Sequence, residues 1–135
     1  GLGYYTQDGK SAVTTGEYGQ DEGTVYIKYS TGPVSLGYQK GAVANYTGGA
    51  EETQFTNNYY GISYKVSDSL SVSYNEMDSR KVVGGSDVEQ DFDSISLSYT
   101  VGGMTIGVAD AEVSNAGYTS GRTADETSVS LSIAF

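Results

Sequence analysis

The chain closes on Ser128-Val129-Ser130-Leu131-Ser132-Ile133-Ala134-Phe135, and the fold is read outward from this stretch. Apolar side chains occupy 129, 131, 133 and 135, with small ones at 128, 130, 132 and 134. Successive side chains of a β-strand point to opposite faces, so this alternation predicts a strand with one apolar face. An aromatic ending suits a strand whose apolar face meets lipid, because aromatic rings sit well at the membrane boundary. A terminus in water frays and rarely carries the most apolar residue of its strand.

The same stretch recurs along the chain. Aromatics matching Phe135 stand at Tyr99, Tyr64 and Tyr29, at intervals of 36, 35 and 35 residues. Two places before each lie Ile133, Leu97, Ile62 and Ile27, and four places before lie Leu131, Ile95, Tyr60 and Val25. Alternation in one strand arises by chance; four copies in register do not. Short turns follow the first three copies, at Thr31-Gly32-Pro33, Ser67-Asp68-Ser69 and Gly102-Gly103.

Working through the chain gives eight predicted strands. Leu2-Gly3-Tyr4 echoes Leu36-Gly37-Tyr38, which suggests a first strand clipped at a hairpin boundary. Four polar segments, about Asp8 to Glu22, Gly41 to Thr53, Asp78 to Asp91 and Glu112 to Glu126, are expected to be long loops. Short turns at one end and long loops at the other match the plan of outer-membrane barrels. Of the acidic residues, Asp68 alone falls at a short turn; the others are expected in the long loops or the strand ends beside them. The expected fold is therefore all-β, an antiparallel up-and-down transmembrane β-barrel of eight strands in one domain, residues 1–135.

Composition agrees and narrows the function. With 135 residues the chain is one domain or part of one. It holds 19 Gly and 13 Tyr but no Cys, Trp or His, a bias towards strands and turns. No run approaches the roughly 18 apolar residues of a membrane helix. Barrel strands need only alternate, so the negative mean hydropathy does not argue against a membrane protein. The net charge of −10 disfavours nucleic acid as a partner. Without His or Cys, the commonest general base, nucleophile pairings and soft metal ligands are missing. The double glycines 48–49 and 102–103 precede no helix and are turn residues, not a nucleotide fingerprint. An enzyme is not expected, and no cofactor is implied.

The four in-register units, the aromatic before each short turn and the ending Val129 to Phe135 together resemble the porins of Gram-negative bacteria. The acidic, Ser-, Gly- and Tyr-rich flavour looks most like those of alphaproteobacteria. The resemblance spans the chain as the C-terminal part of a porin. It implies half of a sixteen-stranded, trimeric barrel in the outer membrane, passing small hydrophilic solutes and ions by diffusion. It also implies contact with outer-membrane lipid and lipopolysaccharide. Val129, Leu131, Ile133 and Phe135 would be the signal read by the barrel-assembly machinery. The family's inward-folded loop belongs to its N-terminal half, so the resemblance implies that this chain lacks it. Two other arrangements fit the alternation: a complete small barrel serving as anchor or adhesion protein, and a surface β-repeat adhesin outside the membrane. A narrow barrel must be filled by its inward side chains, and here most are Ser, Gly, Thr and Ala. That favours the wide pore.

Candidate site residues follow from the polar face. Its larger members, Lys28, Lys65, Tyr26, Tyr59, Gln39 and Asn75, are expected to line the pore. Lys28 and Lys65, the only inward charges expected in the walls, would favour anions, or would simply be solvated on a wet wall. Tyr29, Tyr64, Tyr99 and Phe135 have the matched height of an aromatic girdle, with cross-strand packing as the plain alternative. Asp87, Glu89, Asp91 and Asp93 could offer oxygen ligands to calcium. Their strand-like spacing sets them in a row rather than a cage, which reads more simply as a solvated edge.

Overall fold

In the computed structural model, residues 1–10, 17–47 and 50–134 are described. They form one antiparallel sheet of eight strands in chain order. The strands are β1 (Leu2–Lys10), β2 (Glu17–Thr31), β3 (Val34–Thr47), β4 (Ala50–Lys65), β5 (Leu70–Val83), β6 (Ser86–Val101), β7 (Met104–Ser114) and β8 (Thr123–Ile133). Each strand pairs with its sequence neighbours, and β1 and β8 each have a neighbour on one side only. The all-β, up-and-down reading holds, as a sheet that is open among the described residues.

The register shows why the 35-residue period exists. Tyr64 pairs with Val34 and Val72, Leu97 with Val72 and Val108, and Ile106 with Tyr99 and Leu131. Every described apolar position of the repeat thus lands beside another, on one face. A slip by one residue would exchange the two faces, so this register is strongly specified.

That apolar face is bare. Among the described residues no hydrophobic side chain is buried, and Ile27, Ile62, Leu97 and Ile133 are 68, 45, 45 and 59 % exposed. No second layer of described residues covers them. The accessible surface is 9247 Å², whereas a compact monomer of this mass exposes roughly 6,800 Å².

The long-loop plan needs correction. Three of the four predicted loops are largely strand, and the acids expected in loops sit mostly in paired upper halves of strands. Asp78 pairs with Asp91 and Val83 with Ser86 inside the segment 78–91, leaving a turn at Gly84-Gly85. These glycines have φ of 57° and 84°, matching 57° and 81° at Gly102-Gly103. Such positive values suit two-residue hairpin turns, which Gly adopts without strain. Likewise β2 and β3 remain paired from Thr31 and Val34 up to Tyr18 and Thr47. The physical reason is that a ladder needs backbone partners, not an apolar face, so polar residues continue it where both faces meet water. The segment 112–126 keeps a true loop at 115–122, with a 3₁₀ turn at Ala116–Tyr118. Residues 11–16 and 48–49 of the first two predicted loops lie outside the described residues.

Candidate functional site

The two faces of the sheet differ in kind. On β6, Ile95, Leu97 and Tyr99 are exposed, while Ser94, Ser96 and Ser98 are half-buried. A protein folded in water around a core places these the other way round. The serines hydrogen-bond across strands: Ser73 Oγ and Ser96 Oγ lie 2.6 Å apart, and Ser30 Oγ and Ser35 Oγ 2.8 Å apart.

Tyrosines edge the apolar face. Tyr29, Tyr64 and Tyr99 all lie on it, near the short turns, and are 61, 46 and 44 % exposed. Phe135, the fourth residue expected in the girdle and in the assembly signal, lies outside the described residues. Val129, Leu131 and Ile133 lie on the apolar face of the edge strand β8. A second set at the opposite border was not grouped from the sequence. There Tyr38 OH donates to Asn58 Oδ1 at 3.2 Å and Tyr74 OH to Asp93 Oδ1 at 3.1 Å. The Tyr38 and Tyr60 rings lie 5.2 Å apart. Each ring belongs to the apolar face, and two of these hydroxyls reach the polar residues above it, the division of labour expected of an amphipathic aromatic at a boundary.

On the polar face, five of the six predicted lining residues come together in two neighbouring rows. Tyr26, Gln39 and Tyr59 stand side by side on β2, β3 and β4, and the row continues through Met77 and Phe92. One step nearer the short turns, Lys28 and Asn75 flank Gly37 and Gly61. Lys65 stands apart at the short-turn end of β4, with Nζ 3.0 Å from Asp68 Oδ1. This contact lowers the Asp68 pKa, first through the hydrogen bond and then through the ammonium charge.

Lys28 and Lys65 are not the only charges on this face. By register Glu22, Glu126 and Lys81 share it. Lys81 Nζ stands 5.7 Å from the Phe55 ring centre and 5.5 Å from that of Tyr118. Tyr118 arrives from the loop 115–122, which folds over the upper part of this face. Its hydroxyl is 2.7 Å from Ser79 Oγ, and Ser79 is 2 % exposed. Asn115 Nδ2 donates to the Glu89 carbonyl at 2.8 Å, and Gly117 N donates to Gln90 Oε1 at 2.7 Å. No motif announced this docking, because it joins residues far apart in sequence.

The four acids proposed for calcium lie along one face of β6 but serve separately. Asp87 pairs with Arg80, and Asp93 accepts from Tyr74. Glu89 and Asp91 instead converge with Asp78 of β5, with carboxylate oxygens within 4.8 Å of one another.

Compared with known proteins, the chain matches no family model, no curated sequence and no solved structure. Its reading therefore rests on the two faces.

Proposed function

We propose that the chain is part of the wall of a water-filled pore in a Gram-negative outer membrane, the C-terminal half of a porin-type barrel. The observation that carries this is the inverted exposure of β6, with bare Leu and Ile on one side and paired serines on the other. Large exposed apolar faces need a cover, and lipid covers a sheet of this kind without a second protein layer. The opposite face, small and hydroxylated, suits the boundary of an aqueous lumen through which small hydrophilic solutes and ions diffuse. Lipid does not tolerate unpaired strand edges, so β1 and β8 would meet further strands in a barrel of about sixteen. The tyrosine sets sit at the two headgroup levels, against outer-membrane lipid and lipopolysaccharide. The β8 strand would serve as the signal for the assembly machinery, and the finished barrel as a homotrimer.

The test is refolding, into detergent and then liposomes, of the whole barrel in which β1 and β8 meet their partner strands. Expected are a need for detergent, a gel mobility that changes on boiling, and swelling of the liposomes in small sugars. A chain that stays monomeric in buffer, migrates alike before and after boiling, and leaves liposomes tight would overturn the proposal.

A further inference from the structure

The polar face departs from its small, hydroxylated character in the row Tyr26, Gln39, Tyr59, Met77 and Phe92, which crosses five adjacent strands. Strands lie about 4.8 Å apart, so the row makes a ledge roughly 19 Å wide. Beneath it the chain supplies Gly37 and Gly61. A Cβ at Gly37 would meet nothing within 4 Å. The result is a hollow of about 640 Å³, within the usual size of small-molecule sites.

Two features of the ledge stay open to the hollow, although the Tyr26 ring also rests against Gly1. Tyr26 and Tyr59 are 54 and 40 % exposed, and among the described residues neither stacks on another ring. Their hydroxyls, the Gln39 amide and the Lys28 ammonium have no side-chain hydrogen bond or ion pair among the described residues. Apolar surfaces and unengaged polar groups thus face the same hollow.

We propose that this ledge binds a short saccharide. A pyranose ring has a C–H face, which lies against an aromatic surface, and a rim of hydroxyls, which both donate and accept. Tyr26 and Tyr59 stand two strands, and so roughly 10 Å, apart, and would take the faces of two sugar units with a third between them; Gln39, Lys28 and Asn75 would bond their rims. A purely apolar ligand would leave those polar groups desolvated and unpaired, which is costly. An inorganic ion would leave the rings unused. The inference rests on the pore reading only in giving this face to water, and it names a solute class that the pore would hold in passage.

The test is saturation-transfer NMR and titration of the detergent-refolded whole barrel with maltotriose, cellotriose and trigalacturonate. Expected is millimolar binding of at least one, weakened about tenfold or more by joint Tyr26→Ala and Tyr59→Ala. Gly37→Leu narrows the hollow while leaving both tyrosines in the chain and should weaken binding as well. If none of the three sugars binds, or if binding survives all these changes, the ledge is not a saccharide site. Liposome swelling by small sugars, run in parallel, reads the pore itself: swelling without trisaccharide binding overturns this inference and leaves the pore reading standing.

Discussion

Ser79 Oγ and the Tyr118 hydroxyl lie 2.7 Å apart, across 39 residues of sequence. Ser79 also donates to Asn57 Oδ1, so its hydroxyl is held from both sides and is 2 % exposed. The phenol of Tyr118, brought by the loop 115–122, meets this position through that contact. Because the chain has no cysteine, a single thiol reports on the loop cleanly. Ser79→Cys should react slowly with a water-soluble maleimide, and adding Tyr118→Ala should speed the reaction about tenfold or more, as a local opening equilibrium shifts. Stopped-flow labelling checks this. Equal rates in the two proteins would mean that the loop does not rest on β5.

The Lys65–Asp68 contact sets an acid response in the turn between β4 and β5. Asp68 has its pKa lowered from 3.8, so the folded turn favours the carboxylate. The contribution is therefore complete above about pH 4 and disappears as pH falls through the lowered value. The turn is read through Val66 N, which donates to the Leu70 carbonyl at 2.9 Å, and Leu70 N, which donates to Ser67 Oγ at 3.1 Å. After correction for intrinsic rates, hydrogen exchange at these amides should accelerate in acid. Asp68→Asn should remove that acceleration while leaving faster exchange at neutral pH. An unchanged acid profile in the variant would assign the response to another group.

Whether the sequence could be read depended on whether one face was oily. From Ile95 to Val101 the alternation is unbroken, and the strand, its face and its short turn follow from it. Above Asp93 acids take the positions of the apolar face, so β5 and β6 read as loop from Asp78 to Asp91 although Asp87, Glu89, Asp91 and Asp93 keep the spacing of a strand. The glycine pair at 84–85 was the available cue, since it repeats the pattern at 102–103. Tyr26, Gln39, Tyr59, Lys28 and Asn75 were legible as polar-face residues because they alternate with Ile27, Tyr38, Tyr60 and Tyr74. Met77 and Phe92 were missed because they fell between a predicted strand and a predicted loop. Tyr118 against Ser79 is a contact of high sequence separation, which no local pattern encodes.

Leu97 and Ser96 are neighbours that look in opposite directions. Leu97 lies between Val72 and Val108 on the bare face, whereas Ser96 bonds Ser73 on the other. In lipid, Leu97→Arg should cost about 2–4 kcal/mol of folding free energy near the bilayer midplane. Ser96→Arg should cost about 1 kcal/mol, the value of an ordinary hydrogen bond. Urea titration in phospholipid vesicles, followed by tyrosine fluorescence, measures both. Equal costs would contradict the assignment of the faces.

The height of the oily belt makes the last prediction. On β6 it comprises Ile95, Leu97, Tyr99 and Val101, bounded by Asp93 above and Gly102-Gly103 below. Four outward side chains span roughly 20 Å along a strand, about 15 Å of height at the usual tilt, less than the ~25 Å band typical of outer-membrane barrels. On β7 the belt is Met104, Ile106 and Val108, closed by Asp110, whose carboxylate accepts from Thr127 at 2.6 Å. Mismatch costs fractions of a kcal/mol per Å, and the bacterial outer membrane is itself thinner than average. Folding should therefore be efficient in vesicles of twelve-carbon phosphatidylcholine and poor in eighteen-carbon lipid. Replacing Asp93 by Leu, which raises the belt by one outward position and frees the Tyr74 hydroxyl, should narrow that difference. The folded fraction is read from the gel band that shifts on boiling. Equal yields in thin and thick bilayers, for parent and variant alike, would mean that lipid does not meet this face.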